Sequence, residues 1–123
     1  MKQKDTHGQK LHKMRNEWQK LMEHYQPKVI AIERGFTKNN NSTQVIYRVH
    51  GICNELFYNY PQYYYPPTTV KATIYKGNAT KKQIRMIIEK LYPEVNFKNE
   101  DESDAFAVGL TYLIKECNIK LGK

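Results

Sequence analysis

The chain has few of the residues that mark secreted, membrane-spanning or zinc-binding proteins. It contains two cysteines and four histidines among 123 residues, without paired Cys/His spacing, which argues against a zinc site. Cys53 and Cys117 both fall on apolar stripes of predicted helices, so we expect reduced core residues rather than a disulfide. No apolar run approaches the roughly 20 residues that span a bilayer, and the polar, basic N-terminus lacks a signal-peptide centre. We therefore expect a soluble cytoplasmic protein with no membrane association.

Acidic residues are also scarce. Twelve Asp and Glu stand against 20 Lys and Arg, giving a formal net charge of +8. Four of the twelve acids fall within residues 100–104, while the basic residues are spread along the whole chain. A basic chain with one acidic stretch favours a polyanionic partner such as nucleic acid.

The acidic stretch runs into a segment with apolar residues at helical spacing, which predicts an amphipathic helix with acids in its first turn. Asp101 and Asp104 are three residues apart and therefore share a face of that helix. One interpretation is that the acids complement the helix dipole and cap free N–H groups. The other is that a rigid element holds two carboxylates for a divalent cation.

Periodicity along the chain predicts an α/β fold with a short, mostly parallel sheet and about four helices, in a single domain over residues 1–123. Helices are predicted over 6–26, over a segment from Ser42 or Thr43 to about 57, over a segment ending before Pro93, and from about 100 to 117. Strands are predicted over residues 29–32 and 63–65. Residues 37–41 are expected to form a polar loop.

Glu33 ends the first predicted strand, whose continuous apolar run is typical of a strand covered on both faces. Open α/β sheets place their sites at the carboxyl ends of such strands, so Glu33 is a candidate site residue. A surface glutamate is an equally good interpretation at this point.

Two further stretches have unusual composition. Residues 58–67 interleave five tyrosines with three prolines; packing over the core is favoured over stacking on unpaired bases. Residues 76–82 form a basic, flexible loop before a helix, where backbone N–H groups beside Lys81, Lys82 and Arg85 suit a phosphate. The loop lacks the spacing of a P-loop.

Three pieces of the chain together resemble the RuvC family of Holliday-junction resolvases, which have a ribonuclease H-like fold. They are residues 27–36, a strand that ends in glutamate and is followed by Phe36; Lys71 with the Gly-Asn-Ala-Thr-Lys loop over 77–81; and Asp-Glu-Ser-Asp-Ala-Phe-Ala over 101–107. The loop is about two residues shorter than the family pattern. Order and spacing agree from about residue 7 to 115.

The resemblance implies metal-dependent hydrolysis of a DNA phosphodiester at a four-way junction, in DNA recombination and repair. Glu33, Asp101 and Asp104 would bind Mg²⁺ or Mn²⁺, and Lys81 would act with them in catalysis. Phe36 would sit at the junction crossover. The remaining expected DNA contacts are Arg34, Lys71, Lys76, Lys82 and Arg85. Family members act as homodimers.

One departure from the family pattern is large. Family members begin with a strand that carries a first catalytic aspartate, followed by two more strands, before the helix that starts here near Thr6. Asp5 lies in a polar segment and is no credible substitute. The strand over 29–32 would then lack a neighbour, and an unpaired apolar edge favours association. We hypothesise that a complementary N-terminal chain or a second copy of this protein covers it.

Three functions follow from these observations. The first is a RuvC-like nuclease in a truncated or split form, which the retained carboxylates and Lys81 favour. The second is an inactive, nuclease-derived protein that binds branched DNA, which the missing aspartate favours. The third is a protein-interaction module that kept the scaffold alone. A phage or mobile element would be a fitting source for a protein of this size.

Overall fold

A computed structural model describes residues 4–34 and 40–122, and for residues 40–43 it describes the backbone alone. The elements follow in the order α1 (His7–Tyr25), β1 (Ile30–Glu33), α2 (Asn40–Leu56), β2 (Gln62–Tyr65), α3 (Pro67–Ile74), α4 (Lys81–Leu91) and α5 (Glu100–Cys117). None of the helices in these ranges is long and apolar enough to span a membrane.

The α/β fold class is confirmed, with five helices in the described chain where four were expected. The additional helix is α3, in a segment to which the sequence pattern assigned no element. Pro67 opens it at a first-turn position, where the missing N–H of proline costs nothing. Val70 and Ile74 lie one turn apart and are both buried, so tertiary packing overrides the low helix propensity of their β-branched side chains.

The two strands form a parallel pair, as predicted. The Ile30 N–H donates to the Pro61 carbonyl at 3.0 Å, and the Arg34 N–H donates to the Tyr65 carbonyl at 2.8 Å. From the first hydrogen bond to the second, the donor and the acceptor each move four residues toward the C-terminus, which is the pattern of a parallel ladder. In this register the N–H and C=O groups of Ala31 and Glu33 point away from β2.

The chain divides into two compact units. The first unit contains α1 and α2. Trp18 of α1 packs against the buried Phe57 with ring centroids 5.9 Å apart, and Cys53 is buried as predicted. Burial raises the pKa of the Cys53 thiol to about 11, so the thiol is protonated at neutral pH.

The second unit contains β1 from Ala31 onward, β2 from Tyr63 onward, and α3 to α5. One buried cluster forms its core, and Ile88 of α4 is fully buried within it. The cluster consists of Tyr65, Val70, Ile74, Ala79, Ile84, Ile88, Phe97, Ala107, Val108 and Leu110. It joins α3, α4 and α5 to β2.

Several expected details are wrong. Cys117 is exposed, because the buried face of α5 is centred on Ala107 and Thr111 rather than on the stripe that ends at Cys117. The second helix begins at Asn40, inside the expected loop, so Ser42 and Thr43 lie within it. Apolar residues at helical spacing are expected to face the core, but five of them are exposed: Leu21, Tyr25, Val45, Leu91 and Leu113.

Candidate functional site

Glu33 lies at the carboxyl end of β1, on the same side of the strand as Ala31, because alternate residues of a strand share a face. Ala31 packs against the buried core. Glu33 is therefore held half-buried at the rim of that core. The hydrogen bond from the Arg34 N–H to the Tyr65 carbonyl of β2 fixes the backbone next to Glu33.

Asp104 and Lys81 meet between α5 and α4. The Lys81 ammonium donates to a carboxylate oxygen of Asp104 at 3.1 Å. Lys81 is the first residue of α4, directly after the Thr80 cap, while Asp104 lies one turn into α5. The hydrogen bond to Asp104 raises the pKa of Lys81, which therefore remains charged at neutral pH.

The charges of Asp104 and Lys81 both affect the pKa of Glu33. Burial raises the pKa of the Glu33 carboxyl above its ordinary value of 4.5, and the negative charge of Asp104 raises it further. The positive charges of Lys81 and Lys71 oppose this rise in pKa. A charged cluster of Glu33, Lys71, Lys81 and Asp104 thus gathers one residue each from β1, α3, α4 and α5.

The acidic stretch divides between two roles. Asn99 caps α5 by accepting from the Glu102 N–H at 3.0 Å, and a carboxylate oxygen of Glu102 accepts from the Lys98 N–H at 2.7 Å. These contacts support the capping interpretation for the first turn. Asp104 instead pairs with Lys81, while Asp101 is exposed, and the interpretation that the two aspartates bind a divalent cation stays a prediction.

The basic residues expected to contact DNA occupy different environments. Lys82 is exposed on α4. Arg85 is held within the fold, since it donates to Glu89 at 2.7 Å and to the Phe97 carbonyl at 3.2 Å. Arg34 is exposed after β1. Phe36 lies outside the described residues.

The loop before α4 is more ordered than its composition indicates. Ala79 is buried, and its N–H donates to the Lys76 carbonyl at 3.0 Å. Thr80 and Gln83 form a reciprocal capping box, in which the Gln83 N–H donates to the Thr80 hydroxyl. That donor at the helix start is therefore already used and does not serve a phosphate.

The candidate metal ligands are only partly brought together. Within residues 4–34 and 40–122, no group of three or more His, Cys, Asp or Glu side chains is arranged to hold a metal ion. Glu33 and Asp104 still offer the hard oxygen donors that Mg²⁺ requires. Mg²⁺ commonly takes one or two protein carboxylates and completes its shell with water and substrate phosphates, so this pair fits such an ion.

Sequence patterns did not predict one feature beside the cluster. A shallow depression of about 440 Å³ lies along α4, lined by Lys81, Lys82, Arg85, Met86, Glu89 and Glu100. Tyr65, one of the clustered tyrosines, is buried, and its hydroxyl donates to Glu116 at 3.3 Å. Burial and the charge of Glu116 raise the pKa of Tyr65 to about 12. Packing is thus the role of Tyr65, as favoured for this stretch.

Comparison with known proteins gives a consistent result. Residues 1–112 match the protein family described as crossover junction endodeoxyribonuclease RuvC. The RuvC of Hydrogenovibrio crunogenus is 32% identical over 96 residues, which cover 75% of this chain and 56% of that protein. The RuvC of Rickettsia typhi is 35% identical over 101 residues, covering 78% and 64%. The chain thus spans roughly three fifths of the length of these relatives.

Solved structures show the same architecture. Thermus thermophilus RuvC, alone and in complex with a Holliday junction substrate, matches this chain with TM-scores of 0.77 and 0.79 at 17% identity. The matches cover 91% of this chain and 70% and 71% of those chains. The fold described above is therefore the corresponding part of a ribonuclease H-like fold.

Proposed function

The chain belongs to the RuvC family of crossover junction endodeoxyribonucleases, and from this premise we propose that it is a metal-dependent nuclease for four-way DNA junctions. The observation that carries the proposal is the convergence of Glu33, Lys71, Lys81 and Asp104 from four separate elements. Two carboxylates at the rim of a core, with lysines beside them, suit a metal ion and a phosphate together.

Each residue of the cluster has a role in this proposal. Glu33 and Asp104 would hold Mg²⁺ or Mn²⁺, and Asp101, one turn before Asp104, would supply a further oxygen. When bound, such an ion would supply Lewis-acid charge for phosphodiester hydrolysis. Lys81 orients Asp104 and contacts the phosphate at the cut, and Lys71 adds positive charge beside Glu33. A cation in the cluster would also relieve the repulsion between Glu33 and Asp104.

The surrounding basic residues would position the DNA backbone. Lys76, Lys82 and Arg34 are exposed and can reach phosphates. Arg85 already donates to Glu89 and to the Phe97 carbonyl, so it would hold α4 in position rather than contact the DNA directly. Phe36 is proposed to lie at the crossover.

A second chain is part of the proposal. Because the main-chain groups of Ala31 and Glu33 point away from β2, β1 can accept a further strand on that side. A second copy of this protein or a complementary N-terminal chain would supply the strand. Sedimentation at micromolar concentration tests this, and a monomer that unfolds cooperatively without aggregating would contradict it.

A junction-binding protein without nuclease activity is the second candidate. The absence of a three-ligand metal group in the described ranges favours it. Asp5 does not compensate, since it pairs with Lys13 at 2.6 Å within the first unit. A protein-interaction module is the third candidate and would bind no DNA.

The decisive experiment is nicking of a synthetic four-way junction in Mg²⁺ and in Mn²⁺, alongside gel-shift binding in Ca²⁺. Asp104→Asn should lower the nicking rate by about 100-fold or more, as expected when a group that stabilises transition-state charge is removed. Asp5→Asn is the matched control and should leave the rate unchanged. Both variants should still bind the junction.

The outcomes separate the three candidates. Nicking that depends on Asp104 supports the nuclease. Tight junction binding by the wild-type protein without nicking favours the inactive binder or one part of a two-chain enzyme. Absence of binding to branched DNA leaves the interaction module and contradicts the proposal.

A further inference from the structure

Tyr75 is an exposed aromatic residue at the end of α3, next to residues that are buried in the core. Its neighbour Ile74 is buried in the core, yet 51% of the Tyr75 surface is exposed. The Lys76 ammonium lies over the Tyr75 ring, 5.0 Å from its centroid. The pair thus presents a π-face and a positive charge at one point of the surface.

The backbone that carries this ring is fixed on both sides. The Tyr75 N–H donates to the Lys71 carbonyl at 2.8 Å and closes the last turn of α3. Four residues later, the buried Ala79 and the Thr80 capping box hold the start of α4. A ring on a fixed backbone loses little conformational freedom on binding.

The same segment carries two lysines of the charged cluster. Lys71 precedes Tyr75 by one helical turn, and Lys81 follows at the start of α4. Lys81 donates to Asp104 of the cluster at 3.1 Å, and the positive charge of Lys71 acts on the Glu33 carboxylate. The exposed ring therefore belongs to the α3–α4 segment that brings positive charge to the candidate site.

Exposure alone would not single out Tyr75, because Tyr58 is 75% exposed. Tyr58 differs in its neighbours along the chain, since no lysine or arginine occurs between residues 49 and 70, whereas Lys76 directly follows Tyr75 and lies over its ring. An aromatic face combined with cations is the pairing with which proteins bind unpaired nucleotides, by stacking on the base and attracting the phosphate. Tyr75 has both components, an exposed ring and the Lys76 ammonium 5.0 Å from its centroid.

We propose that Tyr75 is a stacking platform for an unpaired nucleobase of the DNA, with Lys76 attracting the adjacent phosphate. The proposal rests on the proposed function, in that the DNA is a branched substrate whose strands exchange near the charged cluster. It adds a contact that selects unstacked bases, whereas Lys71 and Lys81 contact phosphates of any sequence. Fully paired duplex offers no free base and would gain nothing from Tyr75.

The test measures affinity of the full chain for a four-way junction, for a dT oligonucleotide and for duplex, all in Ca²⁺ to prevent cutting. Tyr75→Ala should weaken binding to the junction and to the oligonucleotide about tenfold, a typical loss for one stacked base. Tyr75→Phe, which keeps the ring, and Tyr58→Ala, the exposed control, should stay within about twofold. Duplex binding should not change.

A second measurement addresses Lys76. The dependence of log affinity on log salt should become shallower by about one unit in Lys76→Gln, as for loss of one phosphate contact. Thermal unfolding of each variant checks that the fold is intact, and little change is expected because both side chains are exposed.

Three results would overturn the proposal. Equal affinity of Tyr75→Ala and wild type for the junction would exclude stacking while leaving the proposed function intact. A loss in Tyr75→Phe as large as in Tyr75→Ala would assign the contact to the hydroxyl instead of the ring. If the wild-type chain binds none of the three DNAs, the proposed function fails, and this contact fails with it.

Discussion

The two compact units of this chain differ in how much they bury, and the candidate site lies in the one that buries more. In the second unit, ten residues form one buried apolar cluster. In the first, α1 contains no buried residue, and the buried apolar residues described are Cys53 and Phe57, the latter in contact with Trp18. Glu33 gains its raised pKa from the core beside it. A packed core thus does more than stabilise the unit, because it supplies the low-dielectric rim that raises the pKa of a candidate site carboxylate.

The largest expected difference between the units concerns core truncation. Ile88 is fully buried in the second unit, whereas Ile52 of α2 is half-buried in the first. We expect Ile88→Ala to lower the free energy of unfolding by about 2–5 kcal/mol, since it removes buried methyl groups and leaves a cavity. Ile52→Ala should cost about 1 kcal/mol. Urea unfolding measures both, and equal costs would contradict the comparison.

Replacing the N-cap threonine of one helix in each unit should change stability by a smaller amount than core truncation. Thr80 of α4 and Thr6 of α1 form the same Thr-x-x-Gln capping box, each hydroxyl accepting at 3.1 Å from the N–H of the glutamine. Thr80→Ala should cost about 1 kcal/mol, because fraying of α4 disturbs packing around Ile84. Thr6→Ala should cost less than about 0.5 kcal/mol, because α1 has no buried residue to lose.

The capping test also bears on function, since Thr80 precedes Lys81. Thr80→Ala should slow junction nicking, while Thr80→Ser, which keeps the hydroxyl, should restore both the rate and the stability. Thr6→Ala should not affect nicking. Chemical denaturation and the nicking assay, run on the same four proteins including wild type, separate the two effects.

Replacing one glutamate in each unit should give effects of opposite sign. The pKa of Glu33 is raised in the folded state, so between its ordinary value of 4.5 and the raised value the folded state binds more protons than the unfolded state. Stability therefore falls as pH rises through that window. Glu33→Gln removes the penalty and should slightly raise the melting temperature at pH 7 while abolishing nicking.

Glu55 is the control for this prediction. It is exposed and pairs with Arg15 at 3.6 Å in the first unit. Glu55→Gln removes a surface ion pair worth about 0.2–1 kcal/mol and should leave nicking unchanged. Thermal scans between pH 4 and pH 8 measure both variants. A lower melting temperature for Glu33→Gln at pH 7 would show that Glu33 is not penalised in the fold.

The smallest effect is a change in the titration of Glu33 itself. Since the charge of Asp104 raises the pKa of Glu33, Asp104→Asn should lower that pKa. Asp101→Asn should leave it unchanged, because Asp101 is exposed and does not contribute to the rise. Carbon-13 NMR of the labelled Glu33 carboxyl follows the titration. Equal shifts in the two variants would remove the distinction between the two aspartates.

Much of the secondary structure followed from the sequence. Regular apolar spacing located α1, α4 and α5, and the apolar run before Glu33 located β1. The prediction missed α3, because five of its eight residues are Pro, Thr or Val, whose helix propensity is low. The face of α5 was misplaced for a related reason. Its inner side uses small residues such as Ala107 that an apolar pattern does not distinguish.

The candidate site was also predicted only in part from the sequence. Motif spacing singled out Glu33, Lys81 and Asp104 as a group, and the fold brings their charges together. Motif spacing could not assign different roles to Asp101 and Asp104, because both lie near the start of one predicted helix. That choice depends on which side of α5 faces α4.

What the sequence determined by itself is local: where helices and strands lie, that the chain is basic, and which residues carry the family pattern. Short-range periodicity and residue type encode these properties directly. Only the tertiary structure decided that Arg85 donates to Glu89, that Asp104 pairs with Lys81, and that the pKa of Glu33 is raised by burial. These properties depend on distances between residues far apart in the chain and on the burial that packing creates, which no local pattern specifies.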